Sequence, residues 1–244
     1  MTTRTNHLGQ SIGFDLPDWT GATPPPRTPM EGRTVRLEPT DATRHGDALF
    51  AAYGVDDEGR MWTYLPTGPF NGDRAGFDPW LAGCEASADP MFFTVIDRAS
   101  GKAVGVASYL RIDPKVGVIE VGYITFSPAL QRTVMATETM FLMMSRVFDD
   151  LGYRRYEWKC DSLNAPSNVA AKRLGFSYEG LFRQATVYKG RNRDTAWYSI
   201  LDREWPALKT AFETWLDSAN FDAKGRQRVS LSTLTRAALA ETQS

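Results

Sequence analysis

Two segments of this 244-residue chain combine residue types and spacings that are suited to chemistry. In the first, residues 118–126 form a predicted strand after a turn at Pro114 and Gly117, and a helical pattern begins near Thr133. The start of a helix presents unpaired backbone N–H groups and the positive end of the helix dipole, which together attract anions. This strand–loop–helix junction therefore predicts an anion site that would suit a pyrophosphate.

The second segment spans residues 164–176 and places polar side chains at the end of another predicted strand. Asn164 offers an amide there, and Ser167 offers a hydroxyl at the start of a short helix. Gly175-Phe176 then turns the chain into the next strand. An amide and a hydroxyl in this position can hydrogen-bond a ligand, or they can be an ordinary turn residue and helix cap.

The elements that must position these segments alternate between strands and helices. The patterns predict strands at residues 34–39, 91–97, 102–112, 118–126, 153–161, 176–188 and 195–201. They predict helices around residues 48–53 and 80–81 and at residues 133–151, 167–174 and 202–216. The three central strands follow one another through short turns as an antiparallel meander. The fold class is therefore α/β (α+β), a single domain whose mixed, mostly antiparallel sheet is flanked by helices.

Both ends of the chain differ in composition from this body. Residues 1–30 are interrupted by glycines and by Pro24-Pro25-Pro26, which indicates an extended arm. The arm also carries apolar residues that we expect to lie against the domain or against a second copy in a homodimer, namely Ile12, Phe14, Leu16 and Trp19. Residues 31–217 are the predicted domain, and residues 218–244 are a predicted weak helix or loose tail.

Composition excludes several classes of function. The net charge of −1 argues against a stable complex with nucleic acid. Two cysteines and two histidines supply neither a disulfide framework nor a His-rich metal site, so no metal is expected. No apolar run is long enough for a signal peptide or a membrane span, and a cytoplasmic protein is the expectation. The sequence also lacks Gly-x-Ser-x-Gly, a Gly-Lys-Ser/Thr phosphate loop and His-Glu-x-x-His.

Together the two segments resemble the GNAT acetyltransferase superfamily, in the branch of the RimJ and RimL ribosomal-protein alanine acetyltransferases. Five stretches carry the resemblance in the family's order: Glu120-Val121-Gly122-Tyr123, Gln131 to Ala136, Asn164 to Ser167, Gly175-Phe176 and Arg193 to Tyr198. The second is similar to the family's acyl-CoA loop, Gln/Arg-x-x-Gly-x-Gly/Ala, and the third to the branch's Asn-x-x-Ser. The resemblance covers roughly residues 33–206.

The resemblance implies acetyl-CoA as the acyl donor, bound where the last meander strand diverges from the strand after the long helix. It implies a donor-binding set that consists of Phe126, Gln131, Arg132, Thr133, Val134, Met135, Ala136, Thr137, Asn164 and Ser167. The first glycine of the family's loop is replaced by Val134, and a β-branched residue resists the left-handed conformation. We therefore expect Val134 to lie already in the helix; otherwise it would weaken pyrophosphate binding.

The resemblance also implies catalytic roles. Glu120 is the candidate base, with Tyr123 as second choice, because their strand would lie beside the acetyl group; the alternative for Glu120 is an exposed carboxylate on a half-buried strand. Many family members protonate the leaving thiolate with a tyrosine, and the matching residue here is Ala171. Ser167 is the substitute candidate, with a simple helix cap as the alternative.

The predicted activity is acetyl transfer to a primary amine of a small molecule or a protein N-terminus, by direct attack on the thioester. Aromatic residues are candidates for the acceptor pocket, although such residues more often pack in the core: Trp62, Tyr64 and Trp197. One alternative is a GNAT-fold aminoacyl transferase that uses charged tRNA, motivated by the altered loop and a basic hairpin at residues 183–193. Another is a non-catalytic acyl-CoA-binding module.

Overall fold

The computed structural model describes residues 3–243 and contains one eight-stranded sheet and a short separate hairpin. The hairpin consists of β1 (Arg4–Thr5) and β2 (Ser11–Ile12). The sheet consists of β3 (Met30–Glu31), β4 (Val35–Pro39), β5 (Met91–Asp97), β6 (Ala103–Asp113), β7 (Val118–Phe126), β8 (Arg155–Asp161), β9 (Ser177–Tyr188) and β10 (Arg191–Leu201). Its order is β3-β4-β5-β6-β7-β8-β10-β9, and every pair is antiparallel except β7–β8. The predicted fold class is confirmed.

Helices cover both faces of the sheet. They are α1 (Ala42–Tyr53), α2 (Arg74–Ala86), α3 (Val134–Ser145), α4 (Ala165–Arg173), α5 (Trp205–Leu216) and α6 (Leu231–Gln243). Neighbouring side chains of a strand point to opposite faces. Accordingly, Phe93 packs into the larger core beneath α3 and α5, whereas Phe92 packs into a second core beneath α1 and α2.

Several element boundaries differ from the predicted ones, and three of the differences have a clear physical reason. The long helix is α-helical only to Ser145 and then continues as a π-turn over Arg146–Asp150. Helix α4 begins at Ala165 because Asn164 caps it and Pro166 is well tolerated in a first turn. The β9–β10 turn is only Lys189-Gly190, both with positive φ, so the polar run that follows belongs to β10 and not to a loop.

The predicted arm and tail both contact the domain. Trp19 donates its indole N–H to the carbonyl of Lys115 (2.7 Å) and lies against the Arg154 guanidinium, whereas other apolar side chains of the arm are exposed. In the predicted tail, Leu231 and Thr235 of α6 are fully buried against α5 and α4. The domain limits at residues 30 and 217, and the homodimer, stay predictions.

Within residues 3–243, no helix is both long and apolar enough to cross a membrane.

Candidate active site

The candidate site is a cleft where the two parallel strands separate. Among the described residues, β7 and β8 pair with each other only from Val118↔Arg155 to Val121↔Trp158; beyond these pairs each strand pairs only with its other neighbour. The opening has a volume of about 1630 Å³. Its position is the one expected from the divergence of the last meander strand and the strand after the long helix.

A bulge in β7 lies at the mouth of this opening. Tyr123 and Ile124 together oppose the single residue Ala107 of β6, and Tyr123 has a φ of 48°. Such a bulge bends the strand and leaves one residue without a ladder partner. Tyr123 lines the cleft and packs its ring against Phe92, with centroids 5.7 Å apart.

Glu120 lines the centre of the cleft and is only 3% exposed. The alternative of an exposed carboxylate is therefore wrong. Its Oε2 lies 2.6 Å from Nη1 of Arg111 and 2.9 Å from Nζ of Lys159. Glu120 is thus a buried carboxylate held in place by two cations.

Lys159 connects Glu120 to a second carboxylate. Glu120 and Glu157 are register partners across the parallel pair, and the Lys159 Nζ lies 2.6 Å from Oε2 of Glu157. The ammonium also lies 3.8 Å from the ring centre of Trp197, a cation–π contact. Sequence analysis assigned no role to Lys159 or Arg111, although the alternation of Glu157 and Lys159 in one strand was a usable signal.

The loop between β7 and α3 is fixed by its own side chains. Thr133 is the N-cap: its Oγ1 accepts from the backbone N–H of Ala136 (3.2 Å) and donates to the Leu130 carbonyl (2.6 Å). The Gln131 amide donates to the carbonyl of Phe126 (2.7 Å). These bonds hold the loop so that the helix start faces the cleft.

Val134 is the first residue of α3, as expected, and the left-handed conformation falls instead on Arg132, with a φ of 62°. Among the described residues, no acceptor takes the backbone N–H of Val134 or Met135. The valine therefore does not block the helix start, which keeps free donors for an anion.

Most of the predicted donor-binding set lines the cleft: Phe126, Gln131, Arg132, Thr133, Val134, Ala136, Thr137, Asn164 and Ser167. The side chain of Met135 does not, because it packs against the main core. What Met135 can offer a ligand is its backbone N–H, which has no acceptor among the described residues.

Asn164 and Ser167 both lie at the N-terminal end of α4, where they have different roles. The Asn164 Oδ1 accepts from the backbone N–H of Ser167 (3.2 Å), so Asn164 is the N-cap and the simple-cap interpretation of Ser167 is wrong. Within residues 3–243, the Asn164 amide nitrogen has no acceptor. The Ser167 hydroxyl accepts from the indole N–H of Trp158 (3.0 Å), which leaves its own proton to be donated.

The aromatic candidates separate into two groups. Tyr64 and Trp197 line the cleft, Tyr64 donating its hydroxyl to the Leu163 carbonyl (3.0 Å) and Trp197 stacking on Phe182 with centroids 4.3 Å apart. Trp62 does not reach the cleft. It is 2% exposed and packs edge-on against other aromatic rings of the second core, so its predicted acceptor role is not supported.

Neither cysteine is a reactive thiolate. Cys160 lines the cleft, but burial raises the pKa of its thiol. Burial raises the pKa of Cys84 in the second core to about 12. Among residues 3–243 no group of His, Cys, Asp and Glu side chains could hold a metal ion. The cleft thus offers donors, a carboxylate and a hydroxyl.

Sequence analysis also missed the residues at the far end of the cleft. Arg173 lines the cleft beyond the start of α3 and donates from Nη1 to the Thr137 hydroxyl (3.1 Å). Trp215 and Phe221 lie beside it, although they are some 40 to 50 positions later in the chain. No local pattern connects such distant residues, so only the fold could reveal them.

The fold and the position of the cleft are those of N-acetyltransferases. Residues 35–177 match the family model described as an acetyltransferase (GNAT) domain. The chain belongs to this family.

Individual relatives agree with this assignment. The crystal structure of a GCN5-related N-acetyltransferase from Brucella melitensis is 52% identical and superimposes with a TM-score of 0.88, covering 91% of this chain and 100% of that one. The uncharacterized N-acetyltransferase p20 of Bacillus licheniformis is 29% identical over 113 residues, which are 46% of this chain and 63% of p20, less than two thirds of its length. The putative ribosomal N-acetyltransferase YdaF of Bacillus subtilis strain 168 is 25% identical over 188 residues, covering 72% of this chain and 94% of YdaF. The YdaF match supports the likeness to the RimJ-like branch.

Proposed function

We propose that this protein is an acetyl-CoA-dependent N-acetyltransferase that acetylates a primary amine by direct attack on the thioester. The observation that carries the proposal is the cleft itself, in which the free N–H groups of the α3 start and the buried carboxylate of Glu120 line one continuous space. Acetyl-CoA is the donor of GNAT acetyltransferases, and its pyrophosphate and thioester need both features at once.

Donor binding uses the helix start and the α4 cap. The N–H groups of Val134 and Met135 would donate to the pyrophosphate, supported by the positive end of the α3 dipole. The free amide nitrogen of Asn164 would donate to a carbonyl of the pantetheine arm, which then lies between the separated ends of β7 and β8. The residues present therefore fit the donor.

Proton removal from the acceptor falls to Glu120. An alkylammonium has a pKa of about 10.4, so only about one molecule in a few thousand is a free amine at neutral pH. A carboxylate positioned by Arg111 and Lys159 can accept that proton directly or through a water molecule.

Charge that develops on the donor has two partners in the cleft. The bulge at Tyr123 and Ile124 makes a backbone N–H available to the thioester oxygen during attack. The Ser167 hydroxyl, which already accepts from Trp158, can donate its proton toward the departing sulfur. The raised pKa of Cys160 supports direct transfer without a covalent cysteine intermediate.

Two sequence features motivated the tRNA-dependent alternative, the basic hairpin and Val134, and both have another explanation in the structure. Two cations of the basic hairpin are engaged with a neighbouring loop, since Lys189 donates to the Trp62 carbonyl (2.8 Å) and Arg191 to the Thr63 carbonyl (2.6 Å). Val134, the other motivation, leaves the helix start open. Both features are therefore compatible with an acyl-CoA donor.

The test combines a binding measurement with a turnover measurement. Titration calorimetry should show that acetyl-CoA binds the purified protein, and a thiol-release assay should show amine-dependent turnover across small amines, polyamines and peptides with free N-termini. Binding without release from any amine would support a non-catalytic acyl-CoA-binding module. Absence of both would refute the proposal.

A further inference from the structure

The far end of the cleft is formed partly by residues outside the family-matched region 35–177. Beyond the start of α3, the wall consists of Arg173 at the end of α4, together with Trp215, Phe221 and Gln227 from the end of α5 and the segment that follows it. The C-terminal segment therefore shapes this end of the cleft directly.

Arg173 is a cation without an anionic partner among the described residues. Among the described residues it forms no ion pair with a carboxylate, and its side-chain hydrogen bond goes to the neutral hydroxyl of Thr137. Burial lowers the pKa of its guanidinium. Since desolvation of an unpaired charge is costly, an anionic ligand at this point would stabilise the charged form.

Aromatic residues lie beside this cation. The guanidinium carbon of Arg173 lies 5.0 Å from the ring centre of Trp215, and Phe221 packs edge-on against Trp215 at 5.2 Å. The Trp215 indole N–H donates to Oε1 of Gln227 (2.7 Å). A cation beside such a wall interacts more strongly with an anion than one in open solvent.

The segment that supplies Phe221 is itself held in place. A β-bridge joins Phe221 to Gln227, and the Asp222 backbone N–H donates to the carbonyl of Arg226 (3.0 Å). Asp222, the acidic residue of this loop, forms an ion pair with Arg226 at 2.7 Å. Its charge is therefore already balanced and does not oppose an anion at Arg173.

Distance from the start of α3 decides which ligand group Arg173 can meet. Thr137 follows the cap Thr133 by four residues, about 6 Å along the helix, so Arg173 lies close to the free N–H groups. The nucleotide end of CoA carries a pyrophosphate and, across one ribose, a 3′-phosphate. An anion bound at the helix start thus leaves a second phosphate within reach of Arg173.

We propose that Arg173 and the aromatic wall from the C-terminal segment bind a phosphate of the nucleotide end of acyl-CoA. This inference rests on the proposed function, because it concerns the same donor. It assigns to residues after the matched region a part in donor recognition, in addition to the helix start.

The test measures dissociation constants of CoA and dephospho-CoA for the wild type, Arg173→Met and the control Lys172→Met. Methionine keeps an apolar stem against Trp215 and removes the charge, and Lys172 is an exposed neighbour outside the cleft with the same charge. A charge-assisted bond is worth about 1.5–3 kcal/mol, so Arg173→Met should weaken CoA binding by roughly 10- to 100-fold. Lys172→Met should change it by less than about threefold.

The two ligands distinguish the two phosphates. Loss of affinity for CoA alone would assign Arg173 to the 3′-phosphate, and equal loss for both ligands would assign it to the pyrophosphate. Equal affinities of Arg173→Met and Lys172→Met for both ligands would overturn the inference while leaving the proposed function intact. If the wild type binds neither ligand, the proposed function itself fails.

Discussion

At the scale of single residues, the centre of the cleft depends on one lysine shared by two carboxylates. Glu120 and Glu157 lie side by side across the parallel strands, and Lys159 bridges them at 2.9 and 2.6 Å. Both acids are buried, but only Glu120 lines the cleft. Both acids can therefore form an ion pair with Lys159, but only Glu120 can reach a substrate to accept a proton.

This difference gives a matched pair of substitutions. We expect Glu120→Gln to lower kcat by roughly 10²- to 10⁴-fold, because it removes the proton acceptor while keeping the shape of the side chain. Glu157→Gln removes the other carboxylate bound to Lys159 and should lower kcat by less than about tenfold. Steady-state kinetics with a fixed amine checks this. Equal losses in the two variants would mean that Glu120 only holds Lys159 in place.

Residue roles were predictable from the sequence only where they follow from position in a motif. Glu120, Asn164 and Ser167 reach the cleft because the backbone of their own segment brings them there. Trp62 was misplaced because an aromatic residue is equally suited to a pocket and to a core, and its rings pack against Tyr53, Phe70 and Trp80 in the second core. Lys159 was missed because its role depends on a carboxylate in another strand.

At the scale of elements, α3 acts through its backbone. Thr133 caps the helix, and the N–H groups of Val134 and Met135 remain free among the described residues. We therefore expect the side chain that replaces the family's loop glycine to matter less for donor binding than the N–H group of the same residue. This can be tested, because the first helical position tolerates proline.

We expect Val134→Pro to fold normally and to weaken CoA binding by about tenfold or more, because it removes one backbone donor to the pyrophosphate. Thr133 already has the extended conformation, with φ −102° and ψ 169°, that a residue before proline prefers. Val134→Ala keeps the N–H and should bind CoA within about threefold of the wild type. Calorimetry with thermal unfolding as a folding check measures both. Unchanged affinity in Val134→Pro would show that this N–H does not bind the donor.

Element order was predictable because strand composition and helical periodicity are local properties. Residues 91–97 and 118–126 were predicted with the observed limits. The limits failed where a tertiary or turn effect dominates. The tight turn at Lys189-Gly190 converts a polar run into strand, and Asn164 starts α4 earlier than the apolar pattern suggests.

At the scale of the whole molecule, the C-terminal segment is part of the core. Helix α6 packs against α5 and α4, and Leu231 at its start is 0% exposed. The sequence predicted a weak helix or loose tail there because the segment is polar and rich in small residues. Leu231 and Ala238 are nonetheless buried, and Leu234 and Leu239 pack against the same core, which periodicity over so short a stretch could not establish.

The packing of α6 predicts a stability effect. Leu231→Ala should lower the free energy of unfolding by about 2–5 kcal/mol, since it leaves a cavity in the main core. Val229→Ala, two residues earlier and 42% exposed, should change it by less than about 1 kcal/mol. Urea denaturation followed by fluorescence measures both. If Leu231→Ala were as mild as Val229→Ala, α6 would not unfold together with the domain.

The short parallel pairing of β7 and β8 has a consequence for the molecule as a whole. Five strands lie on one side of this seam and three on the other, and among the described residues the parallel ladder between them runs only from Val118↔Arg155 to Val121↔Trp158. An elongated, amide-bearing ligand in the gap would extend that seam in the manner of an inserted strand. Binding of such a ligand would then strengthen the connection between the two parts of the sheet. The protein would be most rigid when its acyl donor is bound.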